Sequence, residues 1–321
     1  MKNKLVVSPS PHVHSGDTIA KNMYGVLIAL VPAFLVSLYV FGLSALILTV
    51  GSIVFCVITE YVVQQFMFKK KPTILDGSAI ITGVLLAFNL PSNLPLWILA
   101  IGAIAAIGIG KMSFGGLGNN IFNPALLGRV FLLISFPTQM TSWPLPSTLA
   151  PVDGATAATV LANIKYNPSA LPSISDMFFG LEAGSIGEMS VMALLLGLIY
   201  MLWKKIITWH IPVSIILTVA VFAAGMYLIE PSQANNPLIH LFSGGLMLGA
   251  IFMATDYATS PLSHNGMIIY GIGIGVITMC IRLWGAYPEG VSFAILLMNA
   301  LTPLINNYVK PKRFGEVIKH G

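Results

Sequence analysis

The sequence predicts an all-α polytopic membrane protein, and three observations support this fold class. Of its 321 residues, 56% are hydrophobic and only 8% are charged, which is not the composition of a soluble domain. Apolar runs recur along most of the chain, and at about 20 residues per helical crossing they make room for about ten spans. Nearly all the basic residues fall between these runs rather than inside them.

The apolar runs define the predicted spans in chain order. They cover residues 22–41, 43–67, 76–91, 96–110, 122–137, 190–203, 209–228, 242–254, 267–283 and 291–308. The third span of each half is short and is interrupted by Pro91 or Pro261. A matched pair of broken spans, with five spans in each half, predicts two inverted five-helix repeats with a binding site between them.

This pattern divides the chain into five predicted parts. They are a cytoplasmic arm (1–21), a first five-helix repeat (22–137), an extracytoplasmic loop (138–189), a second five-helix repeat (190–308) and a basic cytoplasmic tail (309–321).

The positive charges predict the orientation of the spans. When ten spans are drawn, 13 basic residues fall on one side, while Lys165 lies in an opposite loop. The 13 are Lys2, Lys4, Lys21, Lys69, Lys70, Lys71, Lys111, Lys204, Lys205, Lys310, Lys312, Arg313 and Lys319. Because short cytoplasmic loops are rich in Lys and Arg, both termini are predicted to be cytoplasmic and the 138–189 loop external.

Composition and spacing exclude several other classes of function. The net charge of +5 is not clustered on one face, which argues against nucleic-acid binding. The two cysteines, Cys56 and Cys280, lie far apart inside apolar runs and form no ligand set for zinc or an iron-sulfur cluster. We therefore expect no metal site. No signal-peptide cleavage pattern precedes the first span, which we expect to be retained.

The external loop contains one motif that indicates chemistry, the run from Asp153 to Thr159. It reads Asp-Gly-Ala-Thr-Ala-Ala-Thr, so its two threonine hydroxyls stand on a backbone with little side-chain bulk. One interpretation is a turn capped by Asp153 that opens a short helix over 160–166. The run also resembles the pattern whose last threonine receives FMN as a phosphoester from an extracytoplasmic flavin transferase. That resemblance implies Thr159 as the acceptor, with Asp153 and Thr156 as recognition residues.

Two arginines lie inside predicted spans, where a buried charge indicates function by default. Arg129 in the fifth span either pairs with Asp76 or Asp256 or polarises a flavin carbonyl. Arg282, near the outer end of the ninth span, either extends to the membrane surface or binds the phosphate of an attached FMN.

Short motifs resemble one membrane-protein family when they are taken in order. They are Asp76-Gly77-Ser78, Gly115-Gly116-Leu117-Gly118, Asn123-Pro124-Ala125, the run ending at Thr159, and Gly184-Ser185-Ile186-Gly187-Glu188. The family contains the RnfD component of the Rnf ion-translocating ferredoxin:NAD oxidoreductase and the NqrB component of the sodium-translocating NADH:quinone oxidoreductase. Ser10-Pro11-His12, shortly before the first span, is similar to the Rnf protein, whereas the quinone-reductase protein usually has a longer arm.

The resemblance implies a fold, cofactors and partners. The fold would be a pair of inverted five-helix repeats like that of urea transporters. FMN on Thr159 would relay electrons between ferredoxin and NAD, coupled to Na⁺ or H⁺ movement, and relatives also hold non-covalent riboflavin. The implied partners are other Rnf subunits, a flavin transferase and the lipid bilayer of a bacterial or archaeal cytoplasmic membrane.

A different class of function competes with this one. Because a fold does not fix a function, the same helices would also suit a non-redox channel or transporter, which predicts no flavin.

Overall fold

The structure, a computed structural model, is a bundle of helices with one short β-ribbon. It describes residues 18–69, 72–144, 156–166, 171–180, 183–230 and 236–310. Within these ranges, six helices are long and apolar enough to cross a membrane. They are Ile19–Phe41, Leu43–Met67, Leu96–Phe114, His210–Ile229, His264–Trp284 and Val291–Tyr308. The chain is therefore a multi-pass membrane protein, as its composition predicts.

The helices of the described residues range in length from 23 residues to 3 residues. In chain order the helices are α1 (Ile19–Phe41), α2 (Leu43–Val62), α3 (Ser78–Phe88), α4 (Leu96–Ile104), α5 (Pro124–Ser135), α6 (Pro137–Met140), α7 (Val160–Tyr166), α8 (Ile174–Phe179), α9 (Val191–Trp203), α10 (His210–Ile229), α11 (Pro237–Phe242), α12 (Leu246–Leu248), α13 (His264–Trp284) and α14 (Val291–Tyr308). The strands β1 (Trp143–Pro144) and β2 (Thr156–Ala157) pair antiparallel. Wide π-helical turns extend α2, α4 and α12 over Val63–Met67, Ala105–Ile109 and Gly249–Met253.

Local sequence explains where several helices begin. Asn123 accepts a hydrogen bond from the Leu126 N–H, and Pro124 occupies the first turn, where a missing N–H has no cost. Ser190 and Ser263 cap α9 and α13 in the same way. Each predicted span has a helical segment at its place in the chain, and α3 is short as predicted. The arrangement as inverted repeats stays a prediction.

Small residues allow neighbouring helices to approach closely. A Cβ added at Gly83 in α3 would lie 2.7 Å from the Ile53 Cα in α2, and one at Gly271 in α13 would lie 1.8 Å from the Ser214 Oγ in α10. Ser52 also donates a hydrogen bond to the Gly83 carbonyl at 2.7 Å. Small residues at such crossings are typical of membrane helices, because dispersion contacts and interhelical hydrogen bonds hold them together.

Candidate functional site

The motif that contains Thr159 lies between α5 and α9. Its β2 strand pairs with β1 in the register Trp143 with Ala157 and Pro144 with Thr156. This ribbon fixes the backbone of the motif two residues before Thr159. Thr156 is described through its backbone alone, and Asp153 lies outside the described residues.

Thr159 caps the helix that follows it. Its Oγ1 accepts a hydrogen bond from the Ala162 N–H at 3.3 Å, and its carbonyl accepts one from the Asn163 N–H at 2.9 Å. The predicted short helix over 160–166 is thus confirmed, with Thr159 as its capping residue. The whole residue is 6% exposed, so its hydroxyl faces the interior of the protein.

An apolar cluster holds α7 against the rest of the chain. Its buried members come from α7, α8 and α11 and are Val160, Leu161, Ile164, Met177 and Ile239. Because these side chains are removed from water, the cluster fixes the position of α7 and of Thr159 at its N-terminus.

Thr159 lies on the wall of a small cavity of about 10 Å³. The lining residues are Thr159, Val160, Ala183, Gly184, Glu188, Met189, Phe242 and Gly244. Among them Glu188 is the one with a titratable side chain. Its Oε1 accepts a hydrogen bond from the Ser185 N–H at 2.9 Å, whereas its buried Oε2 has no hydrogen-bond partner among the residues that the structure describes.

The backbone around Glu188 is held by the end of α3. The Ile186 N–H donates to the Leu90 carbonyl at 3.1 Å, and the Gly187 N–H donates to the Phe88 carbonyl at 2.8 Å. A Cβ at Gly187 would lie 2.3 Å from the Phe88 Cβ, so only glycine allows this approach. Burial, and next the negative charge of Glu289, raise the pKa of Glu188 to about 7.

Arg129 belongs to the same buried region, with partners that differ from those expected. It forms an ion pair with Glu289 and donates a second hydrogen bond to the Ser292 hydroxyl. The expected pairing with Asp76 or Asp256 is therefore wrong. Glu289 lies 160 residues away in the sequence, just before α14, and local spacing gives no signal for such a pair.

Arg282 is buried and does not extend to the membrane surface, so that expectation is also wrong. Its guanidinium donates hydrogen bonds to the carbonyls of His240 and Ser243, the second at 3.0 Å. Its Nη2 atom lies 3.3 Å from where a Cβ of Gly244 would be. Arg282 is thus directly behind a glycine of the Thr159 cavity wall.

A second polar centre lies at the other end of α3, and sequence reasoning missed it. Lys111 Nζ donates to Glu60 Oε2 at 2.6 Å and to Ser78 Oγ at 2.6 Å. The two charged side chains are 2% and 1% exposed. Lys111 is therefore a buried ion-pair partner, although the sequence analysis counts it among the basic residues of the cytoplasmic loops. The acidic Glu60 inside an apolar run is the signal that could have indicated the pair.

Two larger cavities adjoin this ion pair. They have volumes of about 80 Å³ and about 610 Å³. Both are lined by Met23, Leu117, Asp256 and Tyr257. Lys111, Asn120 and Asn123 line the first cavity. Asp256 accepts hydrogen bonds from Thr259 at 3.2 Å and Asn120 at 3.5 Å, and burial raises its pKa.

Comparison with known proteins identifies the family. The model of the NQR2, RnfD, RnfE family matches residues 6–315, nearly the whole chain. The chain belongs to the NQR2, RnfD, RnfE family. Three of its relatives are each named as the D component of an ion-translocating oxidoreductase complex.

A relative from Acetobacterium woodii, named as the D component of a Na⁺-translocating ferredoxin:NAD⁺ oxidoreductase complex, is 50% identical, covering 97% of this chain and 95% of the relative. A relative from Clostridium ljungdahlii, named as the D component of a proton-translocating ferredoxin:NAD⁺ oxidoreductase complex, is 43% identical. The match covers 98% of this chain and 97% of the relative. A third, the D component of an ion-translocating oxidoreductase complex of Stutzerimonas stutzeri, is 40% identical over 94% of this chain and 93% of its own. The resemblance to the RnfD component is confirmed.

Proposed function

We propose that the chain is the membrane flavoprotein component of an Rnf-type ion-translocating ferredoxin:NAD oxidoreductase, with FMN attached as a phosphoester to Thr159. One observation carries the proposal: the last threonine of the flavin-attachment motif lies on the wall of a cavity that also contains a buried carboxyl group. The names of the relatives support the assignment to an electron-transfer complex. Asp153 and Thr156 are the proposed recognition residues for the transferase.

The residues around Thr159 suit the phosphate end of an attached FMN, whereas the cavity of about 10 Å³ is too small for the flavin ring. Gly184 and Gly244 remove side-chain bulk from the cavity wall, and the Glu188 Oε2 leaves a buried hydrogen-bonding atom unused. Arg282, behind Gly244, supplies positive charge toward the phosphate, while Arg129 is held by Glu289. A bound FMN supplies transfer of electrons singly or in pairs.

The burial of Thr159 adds a condition to its modification. At 6% exposure, its hydroxyl is not reachable by a second protein while α7 is packed. We infer that the transferase acts before α7 docks on the apolar cluster, or during its transient release.

The distribution of basic residues supports the topology of this proposal. With both termini in the cytoplasm, the Thr159 segment faces outward, where such a transferase works. The protein then relays electrons beside neighbouring subunits, and the complex couples this transfer to Na⁺ or H⁺ movement. The alternatives are the NqrB component of a Na⁺-translocating NADH:quinone oxidoreductase, with the same flavin, and a channel or transporter without one.

Covalent attachment is tested on a denaturing gel under ultraviolet light. The chain is expressed with an active flavin transferase and its modified peptide is mapped by mass spectrometry. We expect a fluorescent band with FMN on Thr159, which Thr159→Ala abolishes because no other hydroxyl takes the acceptor position. Thr141→Ala, an exposed threonine outside the motif, is the matched control and should stay fluorescent. A dark wild-type band would favour the channel or transporter.

We also propose that the pair of larger cavities holds a non-covalent flavin such as riboflavin. Its ring system needs an apolar slot with a few polar atoms, and the first cavity offers Leu85 and Phe252 beside Asn120 and Asn123. Lys111 and Asp256 add charged groups at the polar end.

A bulky substitution tests this second site. Leu117→Trp places an indole where both cavities meet, so we expect the flavin released on denaturation to fall severalfold while the covalent band persists. Leu297→Trp, at an exposed position in α14, is the matched control. Equal release from wild type and Leu117→Trp would contradict the proposed location.

A further inference from the structure

Thr159 is enclosed too tightly for the whole of the cofactor that the proposed function attaches to it. The cavity that it lines has a volume of about 10 Å³, which is about the space that a single water needs. The residue is 6% exposed, and its Oγ1 accepts the hydrogen bond from the Ala162 N–H that caps α7. The ribityl chain and ring of an FMN on this oxygen therefore need room that the packed protein does not provide.

The cavity adjoins the apolar cluster that holds α7, and two residues belong to both. Val160 of α7 lines the cavity and is a member of the cluster, while Phe242 of α11 lines the cavity and packs against the cluster. Leu161 of α7 approaches the same wall, because its Cδ1 lies 2.6 Å from where a Cβ of Gly244 would be. A group that outgrows the cavity on this side therefore meets α7 first.

The other walls of the cavity are held by hydrogen bonds. The Gly187 N–H, next to Glu188 in the chain, donates to the Phe88 carbonyl at 2.8 Å, and Arg282 donates to the Ser243 carbonyl at 3.0 Å. Helix α7 is seven residues long. Because a helix this short is not stable in water by itself, it depends on its cap and on its apolar contacts. Among these walls, α7 is the one that is displaced most easily.

We propose that the flavin ring of an FMN on Thr159 takes the place of α7 on the apolar surface that α8 and α11 provide. The inference rests on the proposed function. The surface consists of Met177 of α8 with Ile239 and Phe242 of α11, and the first two are 1% and 8% exposed while α7 is packed. A thioether, a branched aliphatic side chain and an aromatic side chain suit the face of a planar ring system.

The same surface does not hold α7 and the ring at once. The loaded chain therefore has α7 released from the cluster, whereas the unloaded chain has it packed as in the structure. Attachment itself favours this release, because the phosphoester takes over the Thr159 oxygen that caps the helix.

Hydrogen exchange with peptide mass spectrometry tests this exchange of places in the full-length chain. The chain is purified in detergent after expression with or without active flavin transferase, and attachment is verified by in-gel fluorescence. We expect the amides of α7 (Val160–Tyr166) to exchange severalfold faster in the loaded chain, and those of α11 (Pro237–Phe242) to stay protected because the ring covers them. Equal protection of α7 in the two preparations, or loss of protection in α11 as well, would overturn the proposal. A dark band despite an active transferase would instead refute the proposed function.

Iodide quenching of the covalent flavin gives a second readout, which depends on the ring itself. We expect the ring of the loaded wild type to be shielded relative to free FMN, and Ile239→Ser to raise the quenching severalfold because it removes an apolar contact. Leu238→Ser, at a 41% exposed position in the same helix, is the matched control and should be quenched as wild type is. Quenching of wild type equal to that of free FMN would contradict the proposed site. The hydrogen-exchange comparison needs no substitution, so it decides the question even if Ile239→Ser fails to fold.

Discussion

Replacement of Lys111 by Met is expected to destabilise the protein by about 3–5 kcal/mol, because it leaves the Glu60 carboxylate buried without its cation. Both side chains are almost fully buried, and the Lys111 Nζ lies 2.6 Å from the Glu60 Oε2. The remaining Gln64 amide donates to the other carboxylate oxygen at 3.0 Å but brings no charge. The effect is measured as the free energy of unfolding in mixed detergent micelles.

A double variant separates the loss of the ion pair from the loss of packing. Lys111→Met with Glu60→Gln removes both charges, so we expect it to regain most of the stability lost in the single variant. Lys310→Met, at an exposed position, is the matched control and should have little effect. If Lys111→Met alone were as stable as wild type, the buried ion pair would not exist in the folded protein.

The second large effect is expected at Gly83, where α2 and α3 cross. An added Cβ would lie 2.7 Å from the Ile53 Cα and 2.9 Å from the Ile53 nitrogen, both backbone atoms that no rotamer change can move away. Gly83→Ala must therefore separate the helices and stretch the hydrogen bond from Ser52. We expect a loss of about 1–3 kcal/mol in the free energy of unfolding, as for other overpacked cores.

Gly225 provides the matched control for this substitution. It also lies inside a helix, α10, but an added Cβ would meet nothing within 4 Å. Gly225→Ala should be neutral or stabilising by up to about 1 kcal/mol, because alanine favours the helix more than glycine does. Equal losses from the two variants would show that the crossing of α2 with α3 does not cause the loss at Gly83.

The helices are predictable from the sequence because the signals for helices are local. Apolar runs, prolines and capping residues act within a few positions, so α5 begins at Pro124 after its Asn123 cap and α3 is as short as expected. The motif that ends at Thr159 is equally local, and the helix predicted after it begins at Val160. The family follows from short motifs and their order along the chain.

The charged pairs are not predictable in this way. Lys111 and Glu60 are 51 residues apart, and Arg129 and Glu289 are 160 apart, with at least two helices between the members of each pair. The partners expected for Arg129, which are Asp76 and Asp256, are wrong for this reason, because the sequence does not indicate which distant acid meets the arginine. Lys111 is predicted in a loop because its neighbours are glycines and polar residues.

The sequence by itself determined that this is a helical membrane protein, where most of its apolar helices lie, and which threonine ends the motif. Only the tertiary structure decided which buried charges meet and that Glu188 lies on the cavity wall beside Thr159. The physical reason is that helix formation depends on neighbours along the chain, whereas burial of a charge depends on which distant segments pack around it.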